Sequence, residues 1–329
     1  MKKDLKTLKH ITEPIFDDIK LFEKEFRNAL HSEVRLINLV GKYIIRHKGK
    51  HIRPVLTLLA SRVCGQPTLN SYRAAALIEL MHIATLIHDD VVDEAEKRRG
   101  FPSINNLWKN KIAVLMGDFI FSKTLINMVS LKDFSTLKLI ADTAEKLAAG
   151  EILQIEKALT RSMTEEVYYE MINKKTASLI STSCELGAIT STGEARDRKA
   201  MIMYGTKLGM AFQIKDDLFD LLGSEKQTGK NIGADVKRNM MTLPLIYTYE
   251  RTTKTEHRKL KKIMNLKNKS RSDLNDLNQI VHKSGGFNYA EQKINDFSDQ
   301  AIEAISIYPD SSYKQSMVDL ISFNAKRNG

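Results

Sequence analysis

The sequence predicts an all-α protein, and three features carry the prediction. Leu, Ile, Lys, Glu and Ala dominate long unbroken segments, only 6 Pro and 16 Gly punctuate 329 residues, and apolar residues recur at helical spacing. Strand-rich folds need more turn residues than this. A hydrophobic content of 42% supplies a large core, and no linker, low-complexity tract or repeat interrupts the chain, so residues 1–329 are expected to form a single domain.

Taken in order, residues 15–47 place Ile15, Ile19, Phe22, Phe26 and Leu30, then Leu36, Ile37, Val40 and Ile44, on helical faces, and read as two helices. Pro54 in GKHIRP suits the first turn of a helix running to Cys64, with Gly65 and Pro67 ending it. The next helix starts near Asn70 or Ser71, both good N-caps, and runs through AAALIELMHIATLIHDDVVD. Apolar residues cover almost its whole circumference, which places it in the core. A charged loop over 94–104 leads into a helix over 105–130. Helices follow over 134–159, from the N-cap Thr164 to Thr190, and over 195–222, the last ending in FQIKDDLFD. Beyond a polar loop from Gly223 to Arg238, helical segments run from Thr242 to the end, with a break at Ser284-Gly285-Gly286.

Cys64 and Cys184 sit in apolar runs and read as small buried hydrophobes, in keeping with a reducing, cytoplasmic location. The basic N-terminus has no signal-type apolar region, and no window is expected to reach the roughly 18 apolar residues of a membrane span. A formal net charge of +11 calls for an anionic partner, phosphorylated metabolite or anionic lipid. Nucleic acid is not expected, because neither a recognition motif nor aromatic-basic interleaving is present.

The chemistry concentrates in two echoing segments, HDDVVD from His88 and KDDLFD from Lys215, each of the form DDxxD and each closing an apolar helix. Positions i and i+4 share a helix face, so Asp89 pairs with Asp93 and Asp216 with Asp220, while Asp90 and Asp217 point about 100° away. Like charges at a helix C-terminus oppose the macrodipole. A bound cation offsets that cost, and an all-carboxylate set with His88 directed off the Asp89 face favours Mg²⁺ over Zn²⁺. Lys50, Arg53, Arg98, Arg99, Lys175 and Lys230 add charges and forks suited to phosphate, so the residues describe a site for more than one highly anionic group, facing one cavity.

GKHIRP, HIATLIHDDVVDEAEKRRG, the Lys175-Thr176 pair, FQIKDDLFD and GKNIGAD together resemble the trans-isoprenyl diphosphate synthases, over residues 40 to 250, and the first acidic segment is similar to bacterial long-chain, all-trans polyprenyl diphosphate synthases. The resemblance implies a helical bundle of the isoprenoid synthase type with a deep central cavity, a homodimer, and Mg²⁺-dependent condensation of an allylic diphosphate with isopentenyl diphosphate. By the same resemblance, Asp89, Asp93 and Asp216 hold Mg²⁺, supported by Asp90, Asp217 and Asp220. Arg98, Lys175 and Lys230 grip the allylic diphosphate. Lys50, Arg53, His82 and Arg99 form the isopentenyl diphosphate pocket, with Thr176 and Gln213 beside the reacting carbons.

Two positions depart from the family pattern. Met240 stands where a diphosphate-binding lysine is usual, leaving Lys237 or Arg238 to reach in instead, and His51 stands where an arginine is common.

Counting back from Asp89 by turns of about 5.4 Å gives Thr85, Met81 and Leu77, with Ala84 beside the first. Short-chain members of the family carry bulky residues here, so the small Ala84 and Thr85 are expected to leave a tunnel open, floored by Phe119, Phe121 or Met128. The expected product is hexaprenyl to octaprenyl diphosphate, made from a farnesyl or geranylgeranyl primer for a quinone side chain. Transient contact of the basic surface with a membrane is an expected route for its release. The alternatives are a short-chain farnesyl or geranylgeranyl diphosphate synthase, and a weakly catalytic subunit of a hetero-oligomeric synthase.

Overall fold

The computed structural model describes residues 2–47, 49–98, 100–222 and 234–327. They gather into two compact units, each assembled from three segments: Met1–Ala144, Leu179–Gly205 and Ile305–Asp319 in the first, and Glu145–Ser178, Thr206–Ala304 and Leu320–Gly329 in the second. Neither unit is continuous in sequence, which is why no shift of composition marks a boundary.

In the first unit, α1 (Lys2–Thr12), α2 (Phe16–Leu30), α3 (Arg35–Arg46), α4 (Ile52–Cys64), α5 (Leu69–Val92) and α6 (Ile104–Ser130) follow one another. The central element is α5, which packs against α2, α4 and α6. Every residue from Ala74 to His82 is buried, as its all-round apolar pattern predicts. Each fully buried Leu or Ile there contributes about 1.5–3 kcal/mol. The helix starts one residue or more before the expected caps: Thr68 is the N-cap and Ser71 its partner in a capping box. On α2, Asp18 is buried yet fully engaged, accepting from Arg62 Nε and Nη2 at 2.8 Å each and from the Tyr72 hydroxyl at 2.9 Å, so one carboxylate ties α2 to α4 and α5.

The charged stretch expected to be a loop holds a two-residue antiparallel ladder, β1 (Lys97–Arg98) against β2 (Phe101–Pro102), turning at Gly100 with φ +82°. Gly100 supplies the left-handed residue that so tight a reversal needs.

A second correction concerns α6. Among the described residues it is the one helix long and apolar enough, by length and composition, to cross a membrane, so the expectation that no window reaches that threshold does not hold. Two different faces make it so. Ala113, Met116, Gly117, Ile120, Thr124 and Met128 form a buried stripe at spacings of three and four, whereas Val114, Leu115, Leu125, Ile126 and Val129 stand exposed.

Further on come α7 (Phe134–Thr160), α8 (Glu165–Ile172), α9 (Ser178–Ser191), α10 (Ala195–Leu222), α11 (Ala234–Lys237), α12 (Leu243–Arg251), α13 (Lys254–Asn265), α14 (Arg271–Ser284), α15 (Gly286–Ala304) and α16 (Ser312–Lys326). Thr164 caps α8 as expected, accepting from Val167 N. The helix expected to continue to Thr190 is instead interrupted by one π-turn over Asn173–Ala177. Gly285 ends α14 at φ +81°, producing the predicted break. The core of the second unit gathers Tyr168, Ile214, Leu218, Leu243 and Leu277.

Within the first unit α9 lies close on α4 at Gly187, where an added Cβ would fall 2.4 Å from the Thr57 carbonyl oxygen and 2.6 Å from Ala60 Cβ. Gly187→Ala should therefore force the two helices apart and lower stability by about 1–3 kcal/mol in urea denaturation, despite the better helix propensity of alanine. A gain in stability would refute the close approach.

Candidate active site

Both acidic motifs divide as helix geometry requires. At the C-terminal end of α5, Asp90 is buried whereas Asp89 is half-buried and Asp93 exposed; on α10, Asp217 is buried whereas Asp216 and Asp220 are half-buried. The inward aspartates are structural anchors. Arg98 on β1 donates from Nε to both Asp90 oxygens at 2.8 Å and approaches Oδ1 through Nη2 at 2.7 Å, fastening the hairpin to α5. Its fork is thus occupied by a neighbour in the sequence, where the resemblance would direct it at a diphosphate. Tyr43 on α3 holds the other hairpin strand by donating to the Pro102 carbonyl at 2.7 Å.

Behind this hairpin lies a cleft with about 700 Å³ of free space, open solvent included. Glu79, His82, Ile83, Leu86, Ile87 and Asp90 line it from α5, a single face at spacings of three and four. His82 is 9% exposed, and Arg98 and His51 close the cleft from other elements. Lys50 is exposed and Arg53 half-buried at the start of α4. Arg99 and Lys230 lie outside the described residues.

The proposed tunnel row occupies the other side of α5. Met81 and Ala84 are each 1% exposed, and Thr85 is half-buried with its hydroxyl donating to the His82 carbonyl at 2.9 Å. His88 turns to α6, its Nε2 lying 3.3 Å from the Val114 carbonyl oxygen, and a Cβ on Gly117 would collide with the imidazole. Of the three residues considered for the floor, Met128 is buried on the inward stripe of α6, while Phe119 and Phe121 are only half-buried.

In the second unit a chain of hydrogen bonds links Thr176, Gln213, Asp217 and Tyr168. The Thr176 hydroxyl donates to Gln213 Oε1 at 2.6 Å, Gln213 Nε2 donates to Asp217 Oδ1 at 2.7 Å, and the buried Tyr168 hydroxyl donates to Asp217 Oδ2 at 2.6 Å. Burial first, and then the charge of Asp235, push the Asp217 carboxyl well up, with the two donors opposing. Lys175 projects from the π-turn, and Nζ meets Glu151 Oε2 at 2.5 Å and Gln154 Oε1 at 2.9 Å. The turn and α7 touch closely at Gly150, where a Cβ would fall 2.7 Å from Lys175 N. Asp220 accepts from Asp235 N at 3.0 Å.

Asp216 meets a cation that sequence reasoning missed: Arg327, whose Nη2 lies 2.5 Å from Oδ1. Its guanidinium stacks 4.1 Å from the Phe212 ring, and Nη2 donates to the Phe212 carbonyl at 3.0 Å. Lys237 and Arg238, expected to make up for Met240, are both exposed. Nothing in the sequence pairs residues 216 and 327, nor points to Tyr168, Glu151 or Gln154.

Asp89 and Asp93 in the first unit, and Asp216 in the second, each offer carboxylate oxygens of the kind a hard divalent cation takes, and His88 is turned to α6. Among the described residues no three His, Cys, Asp or Glu side chains converge into a ready cage, so such an ion would draw further oxygens from a ligand such as diphosphate.

Comparison with known proteins settles the family. The family model for polyprenyl synthetase matches residues 34–281. The chain belongs to the polyprenyl synthetase family. It is 35% identical over 317 residues to the geranyl-diphosphate-specific all-trans-nonaprenyl-diphosphate synthase of Rhodobacter capsulatus, covering 94% of this chain and 95% of that one. It is 32% identical over 321 residues to the octaprenyl diphosphate synthase of Escherichia coli K12, covering 98% and 99%. Among solved structures, a polyprenyl synthase from Caulobacter crescentus CB15 complexed with calcium and isoprenyl diphosphate superposes with a TM-score of 0.91 at 28% identity over 98% of each chain. A geranylgeranyl pyrophosphate synthetase from Pyrococcus horikoshii does so with 0.89 at 29%, covering 99% and 100%. This polyprenyl synthetase is therefore an all-α prenyltransferase of the isoprenoid synthase fold, a trans-prenyl diphosphate synthase from a family that works with a divalent metal.

Removing one partner of a buried ion pair costs more than removing both. Arg98→Met should thus destabilise the protein by about 2–3 kcal/mol, and adding Asp90→Asn should recover most of the loss. Urea denaturation of the four proteins in a double-mutant cycle measures this, and strictly additive losses would dismiss the hairpin anchor.

Proposed function

We propose that the protein is a long-chain synthase, extending farnesyl or geranylgeranyl diphosphate by successive isopentenyl diphosphates to a hexaprenyl to octaprenyl product for a quinone side chain. The observation that carries this reading is the small Ala84, buried five residues before Asp89, with Thr85 beside it and no bulky aromatic in the row. Near full-length similarity to nonaprenyl and octaprenyl synthases supports it. The fold alone does not separate the lengths, since a geranylgeranyl pyrophosphate synthetase superposes almost as well as a polyprenyl synthase.

In this reading Asp89 and Asp93, and on the second motif Asp216, would hold Mg²⁺, which would supply positive charge against the departing diphosphate. Lys175 and Lys230 bind the allylic diphosphate, and Arg98 joins them by exchanging its bond to Asp90. Lys50, Arg53, His82 and Arg99 orient isopentenyl diphosphate so that its double bond meets the allylic carbon as the C–O bond breaks. Such groups, set in place beforehand, act as electrostatic preorganisation. The Thr176–Gln213–Asp217 chain keeps the Gln213 amide oriented beside the reacting carbons. Attack by the double bond leaves a tertiary cation on the isopentenyl unit, loss of a proton from the adjacent carbon to the departing diphosphate restores a double bond, and no side-chain nucleophile is required. We further assign the exposed apolar face of α6 to a homodimer contact, with the protein in the cytoplasm and its basic surface meeting membrane lipid transiently at product release.

Incubation with labelled isopentenyl diphosphate, farnesyl diphosphate and Mg²⁺, followed by chromatography, tests the proposal. A product ladder ending at thirty carbons or more is expected; a stop at twenty or fewer rejects the long-chain reading, and no product from the chain alone favours a subunit of a hetero-oligomer. Ala84→Phe should shorten the product while sparing the first condensation, and an unchanged length would reject the tunnel row.

A further inference from the structure

The turn that carries GKHIRP is held in a conformation its residues do not favour. His51, which precedes α4, stands at φ +48° and ψ +38°, in the left-handed region where a non-glycine residue costs about 1–2 kcal/mol. Something must hold it there.

The structure supplies that restraint from α5. Glu79 is 6% exposed, inside the uninterrupted buried run from Ala74 to His82, where every neighbour from Ala74 to Met81 is apolar. A carboxylate in such a place is costly unless paired. Its partner is His51, whose Nδ1 lies 3.0 Å from Glu79 Oε1, and the imidazole is itself only 12% exposed. The rings of Phe22 and Phe26 meet the imidazole edge to face, with centroids 5.5 and 6.0 Å away. Two aromatic walls and one carboxylate thus fix the ring, and the ring fixes the backbone between Lys50 and Arg53. Both partners also line the cleft that contains His82.

We propose that Glu79 and His51 form a clasp that sets the GKHIRP turn, making His51 and Glu79 positioning residues for the grip of Lys50 and Arg53 on the diphosphate of isopentenyl diphosphate. The inference rests on the reading of those two cations as isopentenyl diphosphate ligands. The clasp acts on one substrate only. Opening it lets the turn relax to ordinary backbone angles and moves both cations, while the groups assigned to the allylic diphosphate lie on other elements.

Steady-state kinetics with each diphosphate varied against saturating amounts of the other tests this. Glu79→Leu, which removes the carboxylate, and His51→Gly, which removes the ring so that nothing holds the backbone in the left-handed region, should each raise KM for isopentenyl diphosphate about tenfold or more. Both should leave KM for farnesyl diphosphate and kcat within about twofold. His51→Arg, whose guanidinium reaches the same carboxylate, should stay within about threefold of the parent. If Glu79→Leu does not fold, the contrast between His51→Gly and His51→Arg decides alone. Equal rises in both KM values, or a lower melting temperature with both KM values unchanged, would make the pair merely structural and overturn the proposal. Lys50→Ala is the reference: if it raises KM for isopentenyl diphosphate and the clasp variants do not, the clasp is refuted and the site reading stands. If Lys50→Ala leaves that KM unchanged, the site reading falls, and the clasp with it.

Discussion

A helix buried around its whole circumference has only its ends left for charge, and most of the first unit follows from that constraint on α5. Its apolar middle recruits α2, α4 and α6, and its C-terminal end concentrates Asp89, Asp90 and Asp93 where the helix dipole disfavours them. The buried member of the set, Asp90, is compensated by Arg98, and that bond sets the short hairpin over the cleft. Where charge does enter the middle of the helix, at Glu79, a partner is brought to it at the cost of an unfavourable backbone conformation at His51.

The two acidic motifs share a spacing but meet it with different chemistry. Asp90 is answered by a guanidinium, Asp217 by a phenol and an amide. The second site is set apart by burial beside Asp235, which pushes the Asp217 carboxyl up. The residues around the second motif are also internally paired: Arg327 lies on Asp216, and Glu151 and Gln154 lie on Lys175. Metal or diphosphate at these groups must therefore replace contacts the protein already makes. Charged groups held in such pairs do not bear their full desolvation cost.

Helical periodicity made most of the fold legible. The centrality of α5, the cap at Thr164 and the break at Gly285 follow from residue type and spacing alone. The separation of Asp90 and Asp217 in direction from Asp89, Asp93 and Asp216 follows from 3.6 residues per turn, whereas their burial is set by the helices packed around them. Features decided by hydrogen-bond bookkeeping over a few residues were less visible: the ladder within residues 94–104, and the π-turn that presents Lys175. The apolar outer face of α6 does not stand out as an unbroken apolar run, because two apolar faces share one helix with isolated charges.

The sequence by itself determined the helical class, the family, and the divergence of Asp90 and Asp217 from their neighbouring aspartates, because each depends on residue identity at short, fixed separations. Only the tertiary structure decided who answers those charges. Arg327 reaches Asp216, Tyr168 reaches Asp217 and Glu79 reaches His51 across separations that no local period encodes. Such partners are chosen by packing, since a buried charge takes whatever complementary group the surrounding helices bring within hydrogen-bonding distance.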